Sequence, residues 1–191
     1  MPGLLVLNGG SSRRFGTPKH LEDHPDGGTW AGHLITVFRE TLGSGPVRIL
    51  GPALAQYPEL PAIPDDGSGP AFALAAWAKG ERETCTRWWI APCDQVRWTA
   101  EALRAWHGAV CAADPAGISW VAARAAGRPQ PLGGFLGGTL LEGLGQATDQ
   151  RLLTLWEGLS HLEIPWDGDV FEDVDDRAGQ EAWLRGRIKG A

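Results

Sequence analysis

A loop rich in glycine, hydroxyl and basic side chains follows the first apolar run of the chain. Residues 7–19 read LNGGSSRRFGTPK, and the groups that could contact a ligand belong to Gly9, Gly10, Ser11, Ser12, Arg13, Arg14 and Lys19. Two adjacent glycines let a backbone approach a ligand closely and direct its N–H groups at it. With the hydroxyls and the positive charges, the loop is equipped to hold a polyphosphate, or else it is a glycine-rich turn with solvated arginines. It matches neither the P-loop pattern GxxxxGK[ST] nor GxGxxG.

A carboxylate stands at the end of another apolar run. Residues 87–91, RWWIA, predict a buried strand that leads directly into Pro92, Cys93 and Asp94. A carboxylate in such a position suits Mg²⁺, which commonly takes one or two carboxylates together with substrate phosphates. The alternative role for Asp94 is a cap or turn ahead of the helix that Thr99 is expected to begin.

Two other acidic groups also lie near predicted strand ends. Asp65 and Asp66 follow a short extended stretch at residues 60–64, and the late segment 173–176 reads DVDD. Their positions at predicted strand ends make both groups candidates for a ligand site. By residue type alone, each is about equally compatible with a solvated acidic loop.

Strand-like and helical patterns alternate along the chain. Apolar runs predict strands at residues 3–8, 47–50, 60–64, 87–91, 118–122 and 131–136, with further extended chain at 161–166 and 170–171. Helical spacing predicts helices that begin near Thr29, Pro70 and Thr99, two shorter ones at about 138–146 and 149–158, and a closing helix at 177–187. This alternation is typical of an α/β fold with a mainly parallel central sheet. Since such sheets bind ligands beyond the carboxyl ends of their strands, the loops and carboxylates described above should meet at one edge.

Composition narrows the class of protein. The chain has 191 residues, a length typical of one domain, so we predict a single domain over residues 1–191. Ten tryptophans argue against disorder. A net charge of −6 without a basic run disfavours a nucleic-acid partner, and no apolar stretch reaches the roughly 18 residues of a membrane span. Three cysteines without CxxC spacing disfavour a disulfide framework, and we expect a cytoplasmic protein.

Two other groups of residues could in principle form a functional site, but the sequence argues against both. His20 and His24 are four residues apart, as in a zinc-binding helix, but Glu22 is misplaced for HExxH and Pro25 argues against a continuing helix. Cys93 beside Asp94 could be nucleophilic, but no histidine is near it in the sequence. We therefore expect neither a zinc site nor a nucleophilic thiol.

Five segments in order resemble the molybdenum-cofactor guanylyltransferases of the MobA type and their wider nucleotidyltransferase relatives. They are the loop L-x-G-G-x-S-x-R-x-G with Lys19 three residues later, the segment IPDDGSGP at 63–70, IAPCD at 90–94, QPL at 130–132 and FEDVD at 171–175. Together they span nearly the whole chain. The resemblance implies a three-layer α/β/α, Rossmann-like nucleotidyltransferase fold. It also implies transfer of GMP from GTP to molybdopterin bound to molybdenum, with Mg²⁺ as cofactor and pyrophosphate as leaving group.

The resemblance also implies roles for individual residues. It places catalytic function on Lys19, Arg14 and Asp94, and metal binding on Asp94 and Asp175. It assigns nucleotide binding to Leu7, Asn8, Gly9, Gly10, Ser11, Lys19, Asp65 and Asp94, with Asp66 the alternative to Asp65. The implied partners are GTP, the phosphate acceptor and, transiently, other cofactor-biosynthesis proteins or the recipient enzyme.

Several positions depart from the family pattern. Asn8 stands where the family usually has Ala, Gly51 where guanylyltransferases often have a base-contacting Asn, and Asp175 where they usually have Asn. Residues 22–28 do not match the usual turn after the lysine. Aspartate is frequent at the position of Asp175 in cytidylyltransferases, whereas the Gly9–Gly10 pair favours guanine. A related transferase with another base or acceptor, and a silent nucleotide-binding module, remain alternatives.

Overall fold

The computed structural model describes residues 1–9, 15–65, 67–82, 84–147 and 149–190, and in the last helix the side chains up to Arg187. Within these ranges the strands are β1 (Gly3–Leu7), β2 (Val47–Leu50), β3 (Ala62–Ile63), β4 (Arg87–Pro92), β5 (Trp120–Ala125), β6 (Arg128–Gly137) and β7 (His161–Pro165). The helices are α1 (Trp30–Leu42), α2 (Pro70–Gly80), α3 (Ala100–Ala113), α4 (Leu141–Leu144), α5 (Leu152–Glu157) and α6 (Arg177–Gly190). Two 3₁₀ turns cover Lys19–Leu21 and Gly138–Leu140.

The strands form one mainly parallel sheet, as the sequence predicted. Their order is β3-β2-β1-β4-β6-β5-β7. Within the described ranges, β6 is the one strand that runs antiparallel to its neighbours, β4 and β5. The four strands on the β3 side therefore all end at the same edge, which brings the loops after β1, β2, β3 and β4 together.

Helix starts follow the local sequence. Thr29 caps α1 by accepting a hydrogen bond from the backbone N–H of Gly32 at 3.1 Å, and Thr99 caps α3 in the same way through Ala102 at 3.1 Å. Pro70 occupies the first turn of α2, where its missing N–H costs no helical hydrogen bond. The three long helices predicted between residues 29 and 113 are therefore confirmed.

Apolar side chains cover both faces of the sheet. One core holds residues of α1 and α3 with Val6, Trp89 and Phe135, and the other holds residues of α2, α4 and α5 with Trp88 and Leu136. Neighbouring strand residues such as Trp88 and Trp89 thus enter opposite cores, as the alternation of side chains along a strand requires. This is the expected three-layer α/β/α arrangement.

The C-terminal half differs in detail from the predicted elements. Residues 138–146 hold a 3₁₀ turn and a four-residue helix rather than one helix. Residues 170–171 lie in a turn, closed by a hydrogen bond from the backbone N–H of Glu172 to the carbonyl of Asp169 at 3.0 Å, and are not extended. Val170 and Phe171 are buried, so their apolar character reflects packing and not a strand. No helix in the described ranges is both long and apolar enough to cross a bilayer.

Candidate active site

The carboxyl ends of the parallel strands open into a cleft of about 1400 Å³. The predicted site residues that line it are Leu7, Asn8, Gly9, Lys19, Asp65, Asp94 and Asp175. They come from the ends of β1, β3 and β4, from the 3₁₀ turn after the first loop, and from the segment before α6. The structure therefore brings together all the predicted site residues that it describes.

Lys19 occupies the centre of the charged part of this cleft. Its ammonium nitrogen lies 3.0 Å from Oδ2 of Asp94 and 3.0 Å from Oδ1 of Asp175. Burial alone lowers the pKa of Lys19, but the attraction of Asp94 and Asp175 outweighs it and leaves that pKa above its usual value. Lys19 is therefore a fixed positive charge that bridges the two predicted metal ligands.

A third carboxylate, Asp173, belongs to the same cluster. Val174 is buried between Asp173 and Asp175, and its backbone N–H donates to the carbonyl of Asp94 at 3.0 Å, which fixes the segment beside the end of β4. Burial and then the charge of Asp94 raise the pKa of Asp173 to about 6. The cluster thus carries more negative charge than Lys19 neutralises.

The donor set of this cluster suits a hard divalent cation. Carboxylate oxygens are the ligands that Mg²⁺ and Mn²⁺ prefer. The side chains of Asp94 and Asp175 are 24% and 55% exposed, so both can be reached from the cleft. The helix-cap role for Asp94 is excluded, because Thr99 caps α3 with its own hydroxyl. Asp94 and Asp175 could therefore hold such a cation.

The opposite side of the cleft is formed where the loops after β1, β2 and β3 meet. Asp65 accepts a hydrogen bond through Oδ1 from the backbone N–H of Gly67 at 2.9 Å. Its other carboxylate oxygen packs against Gly9, where any Cβ would clash with it. Gly51 has φ +118°, and a Cβ there would lie 3.0 Å from the backbone N of Gly9. The two glycines therefore allow three chain segments to approach one another closely.

Some predicted site residues lie outside the described residues. They are Gly10, Ser11 and Arg14 of the first loop, with Ser12 and Arg13 beside them, and Asp66 after β3. Their predicted roles stay predictions. The choice between Asp65 and Asp66 as nucleotide contact is likewise open, although Asp65 lines the cleft.

Sequence reasoning missed a clamp that holds the loop carrying Lys19. Arg177, at the start of α6, donates to Glu22 Oε2 at 2.6 Å and to Thr17 Oγ1 at 2.8 Å, and its guanidinium lies 4.4 Å from the ring centroid of Phe15. Burial raises the pKa of Glu22, but Arg177 outweighs this and lowers it below its usual range. Glu22, one of the unusual residues after Lys19, therefore ties this loop to the last helix.

The histidine pair His20 and His24 does not form a zinc-binding helix. The 3₁₀ turn ends at Leu21, and His24 instead stacks on His33 with ring centroids 3.5 Å apart and planes inclined by 11°. Nε2 of His24 lies 3.0 Å from the carbonyl of Val96, and Nε2 of His33 lies 2.7 Å from that of Trp98. Asp26 is also near, and one ligand atom from each of His24, Asp26 and His33 lies within 4.8 Å of the others. Nδ1 of His24 accepts a hydrogen bond from the backbone N–H of Asp26 at 3.1 Å. The pair is therefore a structural element of the core.

Cys93 is not an activated nucleophile. It is buried, and this burial, followed by the charge of Asp94, raises the pKa of its thiol well above the usual value. Only the thiolate is nucleophilic, so the expectation of an inert cysteine agrees with the structure.

Comparison with known proteins identifies the class to which this fold and cleft belong. The protein is a nucleotidyltransferase with an α/β fold. The chain belongs to the MobA-like NTP transferase domain family, whose model matches residues 4–163. No match was found among curated proteins.

Three solved structures illustrate the fold. A homologue of Rv0371c from Mycobacterium sp. strain JC1 has a TM-score of 0.72 and 24% identity, covering 100% of this chain and 98% of the other. Rv0371c from Mycobacterium tuberculosis H37Rv, in a complex with manganese, has a TM-score of 0.66 and 16% identity, covering 96% of this chain and 97% of the other. The molybdopterin-guanine dinucleotide biosynthesis protein A from Archaeoglobus fulgidus has a TM-score of 0.72 and 15% identity, covering 98% of this chain and 99% of the other. At these identities the likeness establishes the fold and not the substrate.

Proposed function

We propose that this protein is a Mg²⁺-dependent guanylyltransferase that transfers GMP from GTP to molybdopterin bound to molybdenum. An oxygen of the acceptor's terminal phosphate forms a bond to the α-phosphorus of GTP. The bond between the α-phosphorus and the bridging oxygen breaks, and pyrophosphate leaves with that electron pair. Such transfers depend on positioning and charge neutralisation more than on covalent help from the protein.

The observation that carries the proposal is the convergence of Lys19, Asp94 and Asp175. Lys19 lies 3.0 Å from both carboxylates at the edge of the sheet where α/β proteins bind ligands. A lysine held there supplies a point charge for the phosphate oxygens, where negative charge develops during transfer. Mg²⁺ bound by the two carboxylates would neutralise phosphate charge and favour departure of pyrophosphate.

The acceptor is proposed from the family resemblance that the five segments carry together. A second, smaller cavity of about 230 Å³ adjoins the cleft and shares Leu132 and Asp173 with it. It gives an acceptor room to approach the nucleotide from the side of β6. We also propose a cytoplasmic location with transient contact to the enzyme that receives the product, as expected for a chain without a disulfide framework.

A cytidylyltransferase is the second candidate, and Asp175 is the observation that favours it. The experiment that separates the two is calorimetric titration of GTP, CTP, ATP and UTP in the presence of Mg²⁺. The proposal expects GTP to bind most tightly. Equal or tighter binding of CTP would contradict the guanine assignment and favour the second candidate.

Turnover is tested by following pyrophosphate release from each nucleotide with molybdopterin as acceptor. The proposal expects release with GTP only when the acceptor is present. GTP binding without pyrophosphate release under any of these conditions would instead indicate a silent nucleotide-binding module.

A further inference from the structure

Three side chains that can ligate a metal ion lie close together outside the cleft, where the loop before α1 packs on that helix. One ligand atom from each of His24, Asp26 and His33 lies within 4.8 Å of the others. Both histidines are buried, whereas the side chain of Asp26 is 48% exposed. None of the three residues lines the cleft. This histidine–aspartate cluster is therefore reached from solvent through Asp26 and is separate from the carboxylates around Lys19.

Each imidazole of the cluster is held in one tautomer. Nε2 of His24 lies 3.0 Å from the carbonyl oxygen of Val96, and Nε2 of His33 lies 2.7 Å from that of Trp98. A carbonyl oxygen only accepts, so each Nε2 carries a proton and the Nδ1 of each neutral ring keeps a lone pair. Metal-binding histidines usually donate their second N–H to such a partner, because this contact fixes both the tautomer and the ring orientation. Both rings thus have the outer contacts of metal ligands.

The carboxylate of the cluster has an outer contact as well. Oδ1 of Asp26 accepts a hydrogen bond from Arg187 of α6, while Oδ2 lies 3.7 Å from Nδ1 of His24. Because Arg187 offsets the charge of this single carboxylate, the cluster should attract Mg²⁺ far less than the acidic cluster in the cleft does. Two imidazole nitrogens and one carboxylate oxygen are instead a donor set for Zn²⁺.

We propose that His24, Asp26 and His33 bind a zinc ion that ties the loop to α1, with water as the fourth ligand on the exposed side. Zn²⁺ bonds of about 2.1 Å place tetrahedral ligand atoms roughly 3.4 Å apart, so the three atoms must draw together by about 1 Å. The ion replaces the hydrogen bond from the backbone N–H of Asp26 to Nδ1 of His24, and one stacked ring tilts toward it. Gly27 and Gly28 can absorb this movement, because a Cβ at either would meet no atom within 4 Å.

The test is a calorimetric titration of Zn²⁺ into the nucleotide-free protein in excess Mg²⁺, with thermal melts before and after. Mg²⁺ competes for the carboxylates of the cleft but poorly for imidazole nitrogen. We expect one Zn²⁺ to bind and to raise the melting temperature, since it binds the folded chain. Asp94→Asn, which alters the cleft, should bind Zn²⁺ as the parent does. A loss of Zn²⁺ binding in Asp94→Asn would place the ion in the cleft and overturn the proposal.

Variants of the cluster make the test specific. Loss of even an outer contact of a metal ligand commonly costs 10- to 100-fold in affinity, so Asp26→Asn and His33→Gln should each bind Zn²⁺ at least about 100-fold more weakly. Asp26 is exposed, so Asp26→Asn should fold and decides the test even if His33→Gln does not. His161→Gln changes an exposed histidine elsewhere and should bind as the parent does.

Two further results would overturn the proposal. One is a parent protein that binds no Zn²⁺ in excess Mg²⁺, and the other is parent-like Zn²⁺ affinity in Asp26→Asn. Neither result bears on the proposed nucleotidyl transfer, because the titration contains no nucleotide and the cluster lies outside the cleft.

Discussion

The ammonium nitrogen of Lys19 lies 3.0 Å from Oδ2 of Asp94, although the two residues are 75 positions apart in the chain. The same nitrogen lies 3.0 Å from Asp175. Lys19 thus holds in place the two carboxylates that we expect to bind a divalent cation, and it competes with that cation for them. This relationship joins the glycine-rich loop, the end of β4 and the segment before α6 into one site.

The first prediction concerns Lys19. In Lys19→Ala the competing ammonium is gone, so Mn²⁺, measured by calorimetry without nucleotide, should bind severalfold more tightly than in the parent. Turnover should nevertheless fall by about 10²–10³, because a preorganised charge for the phosphates is lost. Weaker Mn²⁺ binding with unchanged turnover would contradict both roles of Lys19.

The matched control for this variant is Lys79→Ala. Lys79 is exposed near the end of α2 and does not line the cleft. Neither Mn²⁺ affinity nor turnover should change in this variant. A comparable loss in both lysine variants would show a general effect of net charge rather than a local one.

The second prediction concerns the clamp between Arg177 and Glu22. Arg177→Ala removes the hydrogen bonds to Glu22 and Thr17 that hold the loop carrying Lys19. Because small misplacements of a catalytic group are costly, turnover should fall by about 10- to 100-fold. Arg177→Lys keeps the positive charge but not the forked geometry of the guanidinium. Its turnover should lie between that of the parent and that of Arg177→Ala.

The control for the clamp is Arg185→Ala on the same helix. Arg185 forms an exposed ion pair with Glu181 and, among the residues that the structure describes, no hydrogen bond or ion pair with the loop. Turnover of this variant should therefore be unchanged. Parent-like turnover of Arg177→Ala would mean that the loop is positioned without α6.

The third prediction concerns stability in acid. Burial and then the neighbouring His33 lower the pKa of His24 to about 4, and burial also lowers the pKa values of His20 and His33. Since the unfolded chain takes up these protons near pH 6.5 and the folded protein does not, the free energy of unfolding should decrease as the pH falls from about 6.5 to about 4. Each group contributes up to about 1.4 kcal/mol per pH unit.

Protonation of Asp173 changes the free energy of unfolding in the opposite direction. Its pKa is raised to about 6, so the folded protein binds a proton that the unfolded chain binds only near pH 3.8, which offsets part of the loss below pH 6. Denaturant unfolding between pH 8 and 5 measures the net slope. His33→Gln should make the slope shallower, and the exposed His161→Gln should not. A slope that is the same in His33→Gln as in the parent would contradict the lowered pKa values of the stacked pair.

The sequence predicted the part of the structure that depends on local patterns. Thr29 and Thr99 begin helices because their hydroxyls cap the first turn, and the proline-containing stretch at residues 60–64 forms only the two-residue edge strand Ala62–Ile63. The site residues from Leu7 to Asp94 could be placed together because parallel strands share one carboxyl edge.

Other features of the structure depend on contacts between segments that are distant in the sequence, and they could not be predicted. The Arg177–Glu22 contact joins residues 155 positions apart, and both residue types are ordinary on a surface. The stacking of His24 on His33 depends on how the loop after Lys19 folds back onto α1.

The central claim is metal-dependent nucleotidyl transfer at Asp94. The most direct measurement is a Mg²⁺ titration of pyrophosphate release from GTP with molybdopterin as acceptor, alongside a thermal melt, for the parent, Asp94→Asn and the exposed Asp167→Asn. Asn keeps one oxygen but loses the charge that attracts a hard cation. We therefore predict that Asp94→Asn remains folded, loses turnover at ordinary Mg²⁺ and partly recovers at excess Mg²⁺, while Asp167→Asn behaves as the parent. Full activity of Asp94→Asn with unchanged Mg²⁺ dependence would contradict the claim.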